Sequence, residues 1–371
     1  MFQSFWMGGY ESSYHINCFG ERIDMQAVVQ HDRFARDDYR RLKEFGIASA
    51  RDGIRWHLVD RSGFYDFSSF APMLQAARDE CVQIVWDLCH YGWPDDVHLL
   101  SAAFVDRFAR YSRAIARFIA DSGDEVPFYT PINEICFLTY AISKKLIYPF
   151  ISGQAAEIKR QFVRALIAAV DEVRAVDPRA RIVIGDPLLH VIAPKDRPDL
   201  AETAAIYREG QFEVWDMVCG RLHPDLGGSP KYLDIIGMNY YHANQFEYPE
   251  SRLRWEDDPR DPRMLPLSTL LEEVYRRYKR PLFIGETSHF GVGRAKWIGE
   301  VAAEVRQARL MGVPIEGICL YPIIDRPDWE NCEHWHNCGV WDIQRNGDGS
   351  LHRIVNPEYA AELLRVQRIV P

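Results

Sequence analysis

The residues best suited to chemistry are acids that close short apolar runs. Glu134 ends Phe128-Tyr-Thr-Pro-Ile-Asn-Glu and Glu286 ends Pro281-Leu-Phe-Ile-Gly-Glu. Other apolar runs also close on polar groups: Arg51, Asp52, Arg55 and Trp56 in one, Asp87-Leu-Cys-His90 in another, then Asn133, Asn239-Tyr240-Tyr241, and Tyr321 with Asp325. Two carboxyl groups that face each other, one beside an arginine and one in a drier setting, can hold different pKa values and take different roles at neutral pH. Such a pair meets the requirement for glycoside cleavage. One protonated carboxyl donates to the leaving oxygen, while the other, ionised, attacks the anomeric carbon or activates a water. A strand-end salt bridge could account for one glutamate. It does not account for two together with Arg51, His90 and Asn133, because unpaired buried polar groups cost free energy.

The elements that must position these groups are apolar, β-rich runs alternating with segments of helical period, the pattern of βα units. The runs are Ser4 to Tyr10, Ile47 to Trp56, Val82 to His90, Phe128 to Glu134, Arg181 to Pro187, Leu233 to Tyr241, Pro281 to Glu286 and Ile315 to Ile323. Helices are expected over 31–46, 67–80, 101–123 and 154–178, then Leu200 to Leu222, Ser268 to Tyr278 and Ala295 to Met311. In the fourth, Phe162, Leu166, Val170 and Val173 form one apolar stripe, and Asp177-Pro178 stops it. Eight strands with intervening helices predict an α/β fold, a (β/α)8 TIM barrel forming a single domain over 1–371. An irregular excursion at about 244–266 carries many charges and prolines. A doubly wound open sheet has a similar inventory. No GxGxxG opens a helix after a strand and no GxxxxGK[ST] occurs, which removes most support for nucleotide binding.

Composition agrees with a folded globular protein. Hydrophobic residues are 47%, and the net charge of −9 disfavours a nucleic-acid binder, which needs clustered Lys and Arg. No segment approaches the roughly 18 apolar residues of a membrane span, and MFQSFWMGGYESS lacks the features of a secretory signal, so the expected compartment is the cytoplasm. The 8 cysteines lack CxxC pairs and read as reduced packing thiols. Cys332, His334, His336 and Cys338 do not match a structural zinc spacing, and the expectation is no metal and no organic cofactor. His57, His223 and His242 are expected to be satisfied by neighbouring backbone, and Asp87 to support the site from below.

Nearly the whole chain resembles the retaining β-glycosidases of glycoside hydrolase family 1, within the clan of (β/α)8 hydrolases that carry their acids after strands four and seven. The ordered matches are Phe5-Trp-Met-Gly-Gly-Tyr-Glu-Ser-Ser-Tyr-His15, Ala50-Arg51 with Trp56, Trp86-Asp-Leu-Cys-His90 with Trp93-Pro94, and Thr130-Pro-Ile-Asn133-Glu134. Asp234-Ile-Ile-Gly-Met-Asn239-Tyr-Tyr241, Ile284-Gly-Glu286 and Tyr321 to Trp329 follow. The resemblance implies Glu134 as general acid/base and Glu286 as nucleophile, with Asn133 bonding a sugar 2-hydroxyl. It implies that Arg51 and Tyr241 orient Glu286 and keep it ionised, and that His90 bonds a sugar hydroxyl. His15, Asn239, Tyr321, Asp328 and Trp329 complete the implied substrate-binding set.

The chain departs from that pattern where the sugar is recognised. His15 stands for a glutamine, Tyr321 for a tryptophan and Asp328 for a glutamate; Ile135 replaces a proline, and Thr287-Ser288-His289 replaces Asn-Gly. The resemblance therefore implies a divergent member acting through a covalent glycosyl-enzyme on a β-linked glycoside with an unusual or modified sugar. The expected partner is a small-molecule or oligosaccharide glycoside, with neither nucleic acid nor membrane. A transglycosylase using the same intermediate, and a barrel that binds saccharides without turnover, remain alternatives. Oligomeric state is left open.

Overall fold

The computed structural model describes residues 1–370. Its centre is a closed barrel of eight parallel strands: β1 (Trp6–Gly9), β2 (Ser49–Gly53), β3 (Gln83–Asp87), β4 (Phe128–Thr130), β5 (Arg181–Pro187), β6 (Ile235–Asn239), β7 (Leu282–Thr287) and β8 (Ile315–Leu320). β8 closes onto β1, as Trp6 to Gly8 align with Ile318 to Leu320. The helices that follow the strands in turn are α1 (His31–Leu42), α2 (Ala71–Asp79), α3 (Ala102–Ser122), α4 (Ala155–Val176), α5 (Glu213–Val218), α6 (Leu267–Tyr278), α7 (Arg294–Leu310) and α8 (Pro357–Gln367). The expected (β/α)8 barrel is therefore the observed fold. Each sequence-derived strand overlaps an observed one; the observed strands are mostly shorter, and β7 runs one residue past the expected end, to Thr287. The helix expected over Leu200 to Leu222 is instead divided into Ala201–Glu209 and α5 by one 3-10 turn at Gly210–Phe212.

Strand alternation sends one set of side chains to the helices and one into the barrel. Met7, Val85, Phe128, Val183, Ile235, Phe283 and Cys319 form an inner apolar layer. Phe2 plugs its lower end, with its ring 5.1 Å from Phe283 and 5.4 Å from Phe128. Above that layer the inward positions become polar or small: Arg51, Asp87, Gly185, Gly237, Gly285 and Asn239. The glycines make room. A Cβ at Gly285 would lie 2.7 Å from Asn239 Oδ1, and one at Gly237 would lie 3.1 Å from the Phe283 ring. On the outer face, Asp52 meets α1, where His31 bridges Asp38 (Nδ1 to Oδ2, 2.9 Å) and Asp52 (Nε2 to Oδ2, 2.8 Å). Within 244–266, short strands at Gln245–Glu247 and Ser251–Arg252 continue a small sheet with His190–Ile192, and the remainder is irregular. Among the described residues, no helix is long and apolar enough to cross a membrane.

Candidate active site

The polar layer meets at the carboxyl ends of the strands. Arg51, fully enclosed on β2, is its hub. Its Nε and Nη2 donate to the two oxygens of Asp87 at 3.0 and 2.7 Å, Nη1 donates to Glu286 Oε1 at 2.7 Å, and Nη2 also donates to Asn133 Oδ1 at 2.6 Å. The planar guanidinium offers five donors in a fixed fork, enough for these four bonds, whereas an ammonium has three. Burial opposes ionisation of Asp87, but Arg51 and His90 outweigh it and hold the carboxyl below its ordinary range.

Glu286 reaches this hub because β7 is irregular. Phe283 faces inward and Ile284 packs outward, so strict alternation would send Gly285 in and Glu286 out. A register shift between Ile284 and Glu286 turns the carboxylate inward, while Thr287 faces the helix layer and accepts from Trp297 Nε1 at 2.8 Å. Three donors converge on Glu286: Arg51 Nη1, Asn133 Nδ2 (3.1 Å, Oε1) and Tyr241 OH (2.7 Å, Oε2). Hydrogen bonds of this kind favour the anionic carboxylate.

Glu134 is placed differently. It leaves β4 in the left-handed region (φ 46°) and starts the short helix Ile135–Ser143, with its backbone N–H donating to Gly185 O at 3.0 Å. Asp186 Oδ1 accepts from Cys136 N at 2.9 Å and fixes the first turn of that helix. The non-glycine αL conformation costs on the order of 1 to 3 kcal/mol and persists because these contacts over-determine it. Tyr91 OH donates to Glu134 Oε2, and Asn133 Nδ2 donates to Tyr91 OH at 3.0 Å. The two glutamates are thus joined through Tyr91 and Asn133, with 8% and 3% of their surfaces exposed. Burial first, and the Glu286 charge second, raise the Glu134 carboxyl to about 8.

The remaining sequence-derived residues fall around this pair. His90 Nδ1 lies 2.9 Å from Asp87 and Nε2 lies 3.2 Å from Tyr321 OH, with the His90 and Tyr321 rings stacked at 5.5 Å. Asn239 Nδ2 reaches Asn133 Oδ1 at 3.4 Å, and Asn239 Oδ1 is buried with no partner among the described residues. His15 packs edge-on against Trp329 at 4.8 Å; burial depresses its imidazole to about 3, so it is neutral. Trp329 also meets Tyr91 at 5.9 Å. Asp328 is turned into its own loop: Oδ1 accepts from the Glu330 and Asn331 amides at 2.7 and 3.2 Å, and Oδ2 lies 3.4 Å from His336 Nε2. Cys332 to Cys338 do not converge, since Cys338 Sγ donates to Asp325 at 3.3 Å.

Sequence reasoning passed over three members of the site. Tyr91 links the glutamates, and Glu11 is buried with Arg326 Nε 3.1 Å from Oε2. Arg326 in turn lies over the Trp329 ring at 5.3 Å. Burial opposes ionisation of Glu11, but Arg326 and His90 hold it below its ordinary value. All three lie inside or next to segments singled out from sequence, and that adjacency is the only signal they carry.

No family model and no curated protein matches the chain. Solved structures do. The AHE enzyme from Alicyclobacillus herbarius is 18% identical over 100% of both chains, with a TM-score of 0.78. A family 1 β-glucosidase from Thermotoga maritima is 14% identical over 98% of this chain and 97% of its own, at 0.73. The β-glycosidase from Thermosphaera aggregans is 15% identical over 99% and 97%, at 0.74. The chain shares its whole fold with these proteins.

Proposed function

We propose that this chain is a retaining β-glycosidase, a divergent relative of glycoside hydrolase family 1, with Glu134 as general acid/base and Glu286 as nucleophile. The observation that carries the reading is the contrast between two linked carboxyls. Glu134 is dry and raised to about 8, so it is protonated at neutral pH; Glu286 receives donors from Arg51, Asn133 and Tyr241.

In the first step a Glu286 oxygen attacks the anomeric carbon as Glu134 passes its proton to the departing glycosidic oxygen, leaving an ester between sugar and Glu286. Ester formation removes the Glu286 charge, the second-largest cause of the raised Glu134 value, so Glu134 becomes the stronger acid and is left ionised. It can then draw a proton from an incoming water or sugar hydroxyl, which breaks the ester with configuration retained. Hydrolysis and transglycosylation differ only in that acceptor. His15, His90, Tyr321 and Trp329 supply polar and flat apolar surface for the sugar. Asn133 is placed to bond a hydroxyl next to the anomeric carbon. The altered residues at positions 15, 321 and 328 favour an unusual or modified sugar.

Turnover of a panel of aryl β-glycosides by the wild type and by Glu134→Gln and Glu286→Gln tests the roles. Both variants should lose at least about a hundredfold. The Glu134 variant should recover on leaving groups acidic enough to depart unprotonated, whereas the Glu286 variant should not. Unchanged turnover in either variant rejects the assignment, and saccharide binding without wild-type turnover supports a non-catalytic barrel.

A further inference from the structure

Beside the carboxylates, on the rim of the barrel, two imidazoles and a carboxylate converge without a part in the proposed reaction. His242 follows Tyr241 at the end of β6, His289 lies beyond β7, and Glu256 comes from the 244–266 segment. One ligand atom from each lies within 4.8 Å of the others, and His289 Nε2 is 3.3 Å from Glu256 Oε1. That last separation is near the ligand–ligand distance in a tetrahedral zinc site, where metal–ligand bonds of about 2.0 to 2.2 Å subtend tetrahedral angles.

We propose that His242, Glu256 and His289 bind a divalent cation of the Zn2+ class, which pins the 244–266 segment to the ends of β6 and β7.

Three features support this site. His242 is 7% exposed, and its Nδ1 is buried with no hydrogen-bond partner among the described residues. An orphaned imidazole nitrogen in such a setting has a lone pair to offer. His289 Nε2 is buried with no hydrogen-bond partner and faces Glu256, while its Nδ1 is engaged by the Phe290 backbone, 2.9 Å from the carbonyl oxygen and 2.8 Å from the amide nitrogen, an outer-sphere contact of the kind that orients metal-binding histidines. Trp255, Trp297 and Phe290 surround the imidazoles and restrict solvent, with Trp255 5.0 Å from His289 and Phe290 5.3 Å from His242. Arg252 Nη2 donates to both Glu256 oxygens at 3.0 Å. Each oxygen retains a second lone pair for a metal, although the arginine charge makes the site weaker than one with a free carboxylate. Two nitrogens and one oxygen suit Zn2+ or Co2+ better than Ca2+ or Mg2+.

The test is calorimetric titration of Zn2+ into the full-length protein after chelator treatment, with Co2+ absorption as the second readout. One equivalent should bind. His289→Ala and the part-exposed Glu256→Gln should each weaken it by at least about tenfold, the scale known for outer-sphere partners alone. Far-UV circular dichroism will verify that the variants fold. Bound Co2+ should give the visible bands of nitrogen and oxygen ligation without thiolate charge transfer, and Zn2+ should slow proteolysis within 244–266. Absence of a saturable site, undiminished binding in folded His289→Ala and Glu256→Gln, or a thiolate band that places the ion at Cys332 to Cys338 would overturn the proposal. None of these readouts depends on glycoside turnover.

Discussion

Arg51 Nη1 and Glu286 Oε1 lie 2.7 Å apart, and the same guanidinium holds both oxygens of Asp87. The carboxylate proposed as nucleophile is therefore held by a cation that is itself fixed from below. An ammonium at this position keeps the charge but loses the fork. Arg51→Lys is expected to lower kcat by about a hundredfold or more, and to destabilise the fold by up to the roughly 3 to 5 kcal/mol typical of a broken buried pair. Steady-state kinetics with denaturant unfolding checks both. Wild-type kcat in a folded Arg51→Lys protein contradicts the proposed role.

In the proposed mechanism the Glu134 carboxyl, raised to about 8, sets the alkaline limit of activity. A general acid must carry its proton, so kcat/KM should fall as pH rises through about 8. The Tyr91 hydroxyl lowers the Glu134 value, so Tyr91→Phe should move that limb to higher pH while reducing the rate. A pH–rate profile of the two proteins decides the matter; a limb that stays fixed or moves downward contradicts the account.

His31 makes a separate, structural prediction. Burial alone would lower its imidazole, but Asp52 and Asp38 outweigh burial and hold it at about 9, above the ordinary 6.5. A group raised on folding contributes stability that is complete below about pH 6.5 and is lost as pH climbs through about 9. Thermal melts should show His31→Asn most destabilising at pH 6, by about 3 kcal/mol because two buried acids lose a partner. The difference from wild type should shrink by pH 9.5. An equal deficit at both pH values contradicts the charged bridge.

Gly285→Ala tests the glycine layer. Its Cβ would come within 2.7 Å of Asn239 Oδ1, one residue before Glu286. Over-packing of this kind costs about 1 to 3 kcal/mol. The carboxylate should move with the backbone, so the expected result is a folded protein with kcat reduced by about tenfold or more, since small displacements from the reactive geometry are costly. Unchanged kinetics would show that the layer tolerates a methyl group.

The barrel was legible because its strands are covered on both faces. Runs such as Arg181 to Pro187 carry too many apolar residues for an exposed strand, and the intervening segments have clear helical stripes. Strand ends were overestimated where the polar residues of the mouth continue the run after sheet pairing stops: Glu134 was assigned to a strand but adopts αL. The inward turn of Glu286 depends on a register shift that no local pattern announces. Tyr91 meets Asn133 and Glu134, and Glu11 meets Arg326, across long stretches of sequence. His242, read as a histidine satisfied by backbone, has one buried nitrogen without a partner and stands in a cluster with residues from two other segments. Alternation and composition report burial; they do not report which loops meet above a barrel.

The central claim is that Glu286 becomes covalently bonded to a sugar. Incubation with a panel of 2-fluoro glycosides, followed by peptide mass mapping, measures this directly, because the fluorine slows breakdown of the ester more than it prevents formation. One member of the panel should inactivate the enzyme stoichiometrically and leave its sugar on Glu286, thereby naming the preferred glycone. A label on any other residue, or hydrolytic turnover of ordinary β-glycosides with inverted configuration, would contradict the mechanism.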